Sequence, residues 1–164
     1  MKSLWAPWRK IYIAGQVRTK GCFFCKDLRA SSGQDAKNHL LHRSRHAFVL
    51  LNRFPYTNGH LMVAPNRHVP SLEKLSDSER LDFLKLIDLS TTLLTQVLKP
   101  QGFNLGINLG RIAGAGIPGH VHLHIVPRWK GDTNFMPILT GTKVISDSLE
   151  ATYRELSRSL RAMG

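Results

Sequence analysis

Gly119-His120-Val121-His122-Leu123-His124-Ile125-Val126-Pro127 sets three histidines at every second position, with bulky aliphatic residues between them. Successive side chains of a β-strand point to opposite faces. The spacing therefore predicts a strand over about 120–127 with His120, His122 and His124 on one face, stepping about 6.6 Å from first to second. Val121, Leu123 and Ile125 would hold the other face down. Imidazole can be a nucleophile, a proton carrier or a metal ligand near neutral pH, so this row is the candidate site. The bland alternative is a set of hydrogen-bonded polar groups on a half-buried sheet face.

Upstream of that strand, Phe103 to Leu109 alternates Asn104, Gly106 and Asn108 against Phe103, Leu105, Ile107 and Leu109, which predicts a strand with one apolar face. It leads into a loop from Gly110 to Gly119 whose four glycines let backbone approach a ligand. Ala47 to Leu51 and His60 to Ala64 read as two strands of a hairpin turned at Asn58-Gly59. Ser76-Asp77-Ser78-Glu79 is a capping box opening a helix that stops near Lys99-Pro100. A second, amphipathic helix runs from about Ser146 to Met163. Residues 29–38 and 128–134 read as loops, with ordered structure resuming at His46. Hairpin-joined strands with helices set apart indicate an α+β fold on an antiparallel sheet.

The 164 residues, 42% hydrophobic and 21% charged, suit one domain spanning residues 1–164. No apolar run is long enough for a membrane span, and the N-terminal Trp5-Ala6-Pro7-Trp8 region lacks a signal-peptide core; a cytoplasmic protein is the expectation. A formal net charge of +12 favours polyanionic partners without choosing among nucleotides, polyphosphates and nucleic acid. Arg154, Arg158 and Arg161 form one helical stripe, read as a solvated face. Cys22 and Cys25, the only cysteines, form a C-x-x-C pair, a spacing suited to metal or redox chemistry; two thiols packed as small hydrophobes are the remaining reading.

The histidine strand, Asn52 and Gly59-His60 in the hairpin, and Asn108 before the glycine loop together resemble the histidine-triad (HIT) superfamily of nucleotide hydrolases and nucleotidyltransferases. The resemblance runs from about Cys22 to Pro137. Trp5-Ala6-Pro7-Trp8-Arg9, Gly21-Cys22-Phe23-Phe24-Cys25 and the stretch from Pro127 to Phe135 are most similar to its bacterial diadenosine tetraphosphate phosphorylase-like branch.

That resemblance implies that His122 attacks the α-phosphorus of an adenine mono- or dinucleotide polyphosphate, giving a histidine-AMP intermediate later taken by water or phosphate. The His120 carbonyl would hold the His122 tautomer, and His60 and His124 would contact phosphate oxygens. Asn52 would reach the ribose or base and Asn108 the phosphate region; a strand-end cap is the alternative for both. Where hydrolase branches often carry Gln, this chain has Ala115-Gly116-Ile117-Pro118-Gly119. Backbone N–H groups of Gly114, Ala115 and Gly116 are candidates to replace that contact, unless glycine merely makes the turn.

The resemblance further implies a structural zinc held by Cys22, Cys25, His68 and His120, and a homodimer that extends the sheet. Two readings from other classes stand beside it. One is a metallohydrolase using the three histidines as ligands, which a single strand with steps near 6.6 Å converges poorly. The other is a nucleic-acid-binding or nucleic-acid-end deadenylating protein, for which no aromatic-basic stacking platform is evident.

Overall fold

A computed structural model describes residues 21–132 and 147–163. Five antiparallel strands, β1 (Leu40–Arg43), β2 (Ala47–Leu51), β3 (Leu61–Pro65), β4 (Gly102–Ile107) and β5 (Leu123–Arg128), form one sheet in the order β1-β2-β3-β5-β4. Helices α1 (Phe23–Arg29), α2 (Asp35–Asn38), α3 (Asp77–Leu98) and α4 (Leu149–Met163) lie around it. This is the α+β architecture expected from the sequence.

β2 and β3 are unbroken apolar runs because both faces of the sheet centre are covered. Ala47, Val49, Leu51, Leu61 and Val63 pack with Phe83, Leu86, Leu94 and Leu156 of the two long helices. Their alternates, Phe48, Leu50, Met62 and Ala64, pack with Phe24 of α1 and Leu40. The hairpin turns at Gly59, where φ is +73° and an added Cβ would lie 2.4 Å from Leu98 Cδ1. Only glycine satisfies both conditions without strain.

The capping box is formed: Ser76 Oγ accepts from the Glu79 N–H while the Glu79 carboxylate accepts from the Ser76 N–H at 2.7 Å. α3 ends at Leu98, followed by Lys99 in the left-handed region and then Pro100. α4 begins at Leu149, with the Ser148 hydroxyl accepting from the Ala151 N–H. Arg154, Arg158 and Arg161 are exposed on it, as a solvated face requires.

Three expectations change. The predicted 29–38 loop contains a 3-10 turn (Ser32–Gln34) and the short helix α2, and β1 precedes His46. Arg43 organises this region by donating to the Asp35 carboxylate and to the Leu28, Asp27 and Ala30 carbonyls, satisfying backbone groups that a free loop would leave to water. The histidine strand is hydrogen-bonded only from Leu123, because β3 and β4 pair with it from that residue onward. His120 closes a turn through its N–H to the Ile117 carbonyl, and His120 and His122 precede the ladder in chain anchored by Val121 N–H to the Val69 carbonyl. Finally, β4 ends at Ile107 and sits at a sheet edge, so Leu105 and Leu109 are 50% and 54% exposed rather than buried. The tryptophans at positions 5 and 8, and residues 133–146, lie outside the described residues.

Candidate active site

The alternation predicted for the histidine stretch places its side chains as expected, with Val121, Leu123 and Ile125 buried in apolar clusters. The three imidazoles then take three different environments, each set by the element beside it. His120 meets the cysteine pair, His122 meets its own backbone, and His124 meets His60.

His122 is 5% exposed, and its Nδ1 donates to the His120 carbonyl oxygen at 2.8 Å. A carbonyl only accepts, so Nδ1 carries the proton and Nε2 keeps a lone pair. Nε2 has no hydrogen-bond partner in the described residues, yet it is not among their buried unpaired polar atoms, which are His39 Nδ1, Asn66 Oδ1 and Ser157 Oγ. It therefore reaches the surface of the site. Burial pushes the His122 pKa below its ordinary value, which favours the neutral, nucleophilic ring at neutral pH.

His60 is fully buried on the turn leading into β3. Its Nδ1 accepts from the Tyr56 backbone N–H at 3.1 Å, and Tyr56 stacks on the ring at 4.9 Å between centroids. The Asn52 amide nitrogen lies 3.4 Å from the same Nδ1, oriented by a Phe54 N–H that donates to Asn52 Oδ1. With one proton per ring, His60 carries its proton on Nε2 and donates it to His124 Nδ1, 3.0 Å away. His124 is then left with its N–H at Nε2. The two rings lie 5.0 Å apart between centroids, with a lone pair at His122 Nε2 and the proton of His124 at its Nε2.

These contacts refine the expected roles. His60 reaches the site through His124, and Asn52 is engaged in holding His60. Asn108 follows Ile107, which pairs with Leu123, and its side chain borders Gly114: a Cβ there would lie 3.7 Å from Asn108 Nδ2. In the glycine loop the Gly114 N–H is bonded to the Arg111 carbonyl and the Ala115 N–H to the Gly110 carbonyl. Those two bonds close the turn. Gly116 has no backbone partner for its N–H among the described residues.

Cys22 caps α1 and Cys25 lies in its first turn, so the two sulfurs share one side of the helix. Cys22, Cys25, His68 and His120 place one ligand atom each within 4.8 Å of one another. His120 Nδ1 is 3.4 Å from Cys22 Sγ and 3.5 Å from Cys25 Sγ, and His68 Nδ1 is 3.3 Å from Cys25 Sγ. In a tetrahedral zinc site, bonds near 2.3 Å to sulfur and 2.0 Å to nitrogen separate the two ligand types by about 3.5 Å. The geometry fits. His120 Nε2 donates to the Pro65 carbonyl at 2.8 Å, which fixes the tautomer that leaves Nδ1 free to ligate. Burial holds the His120 pKa down to about 4, so the ring is neutral as a ligand must be, while burial pushes the Cys22 thiol up. Gly119 leaves room for this arrangement, since a Cβ there would lie 2.8 Å from His68 Nε2.

No such cluster among the described residues includes His122 or His124. The divergent environments of the three histidines remove the three-histidine metal reading. Sequence reasoning missed two further participants. Phe24 packs its ring against His120 and His122, and Asp27 of α1 pairs with Arg53 at 2.7 Å, beside Asn52. Phe24 lay in the quoted knuckle motif, but the contact joins residues about a hundred positions apart and left no local signal.

The HIT domain family matches residues 34–131. The chain is 36% identical over 166 residues to a Mycobacterium tuberculosis protein named AP-4-A phosphorylase, covering 96% of this chain and 83% of the relative. It is 34% identical over 95 residues to the asymmetrical bis(5'-nucleosyl)-tetraphosphatase of Schizosaccharomyces pombe, covering 58% of this chain and 52% of that protein. A solved structure of a zinc-bound histidine triad family protein from Mycobacterium smegmatis superposes with a TM-score of 0.67 at 23% identity, covering 87% of this chain and 95% of the other. It shares the fold.

Proposed function

The chain belongs to the HIT family, and from that premise we propose that it is an enzyme that splits dinucleoside polyphosphates by transferring a nucleotidyl group through His122. The observation that carries the reading is the 2.8 Å bond from His122 Nδ1 to the His120 carbonyl, which leaves Nε2 as an exposed lone pair. His122 Nε2 attacks the α-phosphorus. The bond from that phosphorus to the bridging oxygen breaks, and the oxygen leaves with the electron pair on the remaining polyphosphate. In this reading His124 hydrogen-bonds or protonates it, and the His120 carbonyl stabilises the positive charge that develops on the His122 ring. The nucleotidyl group then passes to phosphate or to water. The likeness to proteins named AP-4-A phosphorylase and bis(5'-nucleosyl)-tetraphosphatase supports the substrate class.

The role assigned to Cys22, Cys25, His68 and His120 is to hold zinc, which when bound ties the N-terminal segment to the histidine stretch. The fit of their distances to tetrahedral ligation supports this. In the same reading residues 1–164 form a single HIT domain that pairs into a homodimer through the open β4 edge. Half-exposed Leu105 and a groove of about 570 Å³ between α3 and β4, lined by Thr91, Thr95, Phe103 and Leu105 among others, favour that edge. A cytoplasmic location is compatible with the absence of any described helix long and apolar enough to cross a membrane.

The test is product analysis with diadenosine tetraphosphate, with and without inorganic phosphate. ADP plus ATP formed only with phosphate identifies a phosphorylase, and AMP plus ATP without it identifies a hydrolase. No turnover under either condition overturns the substrate assignment.

A further inference from the structure

One aromatic ring touches both the candidate metal knuckle and the candidate nucleophile. Phe24 has no solvent exposure. Its ring centroid lies 4.8 Å from that of His122, tilted by 43°, and 5.1 Å from that of His120, tilted by 44°. Phe23 packs on it at 4.1 Å and Phe48 at 6.2 Å between ring centroids, so the ring is held among other aromatic rings. It sits between Cys22 and Cys25 in the first turn of α1, so any displacement of that turn displaces the ring. α1 is in turn held by Arg43 at its C-terminal end and by the Asp27–Arg53 ion pair.

Among the described residues the His122 ring makes one hydrogen bond, at Nδ1, and a single bond leaves an imidazole free to swing about that axis. The tilted contact of the Phe24 ring from one side restricts that freedom. We infer that Phe24 is a positioning residue for the reaction, its ring holding the His122 imidazole so that Nδ1 meets the His120 carbonyl and Nε2 faces the substrate. This rests on the reading of His122 as nucleophile. It adds that the knuckle helix forms the rear wall of the catalytic site, so that the metal-ligand segment sets nucleophile alignment as well as stability. A misalignment of the attacking atom by a fraction of an ångström is enough to slow attack, because near-attack geometry supplies much of the acceleration in such transfers.

The test compares Phe24→Leu with Phe83→Leu, a core substitution among the residues packed on the helix-bearing face of the sheet. Each is measured for thermal midpoint, zinc content, kcat and KM on diadenosine tetraphosphate, and the ring ¹⁵N resonances of His122. Phe24→Leu is expected to lower kcat by about tenfold or more with KM changed by less than about twofold, at unaltered zinc content, and to shift the His122 ring signals. Phe83→Leu is expected to lower the thermal midpoint while leaving kcat and those signals in place. A folded Phe24→Leu protein with wild-type kcat and unmoved His122 signals overturns the inference. Should Phe24→Leu fail to fold, Phe24→Met, which keeps the volume without the flat face, is read by the same criteria. His122→Ala separates the two levels: its retained turnover would remove the nucleophile assignment, whereas the ring resonances report positioning independently of turnover.

Discussion

His122 Nδ1 donates to the carbonyl oxygen of His120 at 2.8 Å, and the side chain of that same His120 points to Cys22 and Cys25. One residue thus serves two sites, with its backbone orienting the candidate nucleophile and its ring completing the candidate metal centre. Bond rotation cannot separate the two, because the Pro65 carbonyl holds the ring from the far side. Disturbing the knuckle should therefore reach catalysis, while disturbing His122 should not reach the knuckle.

Replacing His122 by Ala removes the attacking nitrogen. Turnover should fall by about a thousandfold or more, with zinc content unchanged. Circular dichroism and metal analysis beside a rate measurement check this, and a folded variant of wild-type activity contradicts it.

Cys22→Ser should act in the opposite order. Loss of one ligand lowers metal affinity and thermal midpoint first, and activity declines as the knuckle loosens. Unchanged zinc stoichiometry in the purified variant would show that Cys22 is not a ligand. Gly119→Ala provides a second probe, because its Cβ would press on His68 Nε2 from 2.8 Å and should weaken metal binding without touching a ligand atom.

His60→Ala breaks the chain from Tyr56 N–H through His60 to His124. His124 then loses the partner that keeps its proton on Nε2, and kcat should drop by about a hundredfold, the scale of a general-acid contribution. A substrate with a better leaving group should be slowed less. An equal loss for both substrates would argue that His60 acts only through packing.

Legibility from the sequence followed the range of the interactions. The short apolar runs of β2 and β3, the period of two in the histidine stretch, the Ser76 cap and the Asn58-Gly59 turn are local signals, and each corresponds to an observed feature. β1 was hidden because Leu40–Arg43 is short and mixed, and is held by Arg43 reaching back to α1 and Asp35 rather than by its own pattern. The inner end of the histidine stretch looked like strand because alternation records which face a side chain takes, whereas the ladder depends on where β3 and β4 begin to pair. The four residues of the candidate metal centre were legible from their resemblance to a family pattern, and the fold gathers their ligand atoms within 4.8 Å of one another. Asn52 bonding to His60, and Phe24 lying against His122, are tertiary facts without a sequence signature.

Stability should respond to acid through Glu79. The Arg67 guanidinium, then the Ser76 N–H, hold its carboxyl down to about 2 from an ordinary 4.5. A lowered carboxyl stabilises the folded state when ionised, so the contribution is fully present above pH 4.5 and is lost as pH falls toward 2. Arg67 is half-exposed, so solvent screening keeps the effect small. Urea denaturation of Arg67→Ala should show that loss at neutral pH and a flatter acid limb, whereas a parallel curve would exclude the pair as its source.

A single-turnover incubation with diadenosine tetraphosphate, quenched in alkali because a phosphorus–nitrogen bond hydrolyses in acid, tests the nucleophile directly. Mass spectrometry of the peptide from Ile112 to Arg128 should find one AMP group, located by fragmentation on His122 and absent from His122→Ala. An AMP group on His120 or His124, or turnover that persists in His122→Ala, would contradict attack by His122.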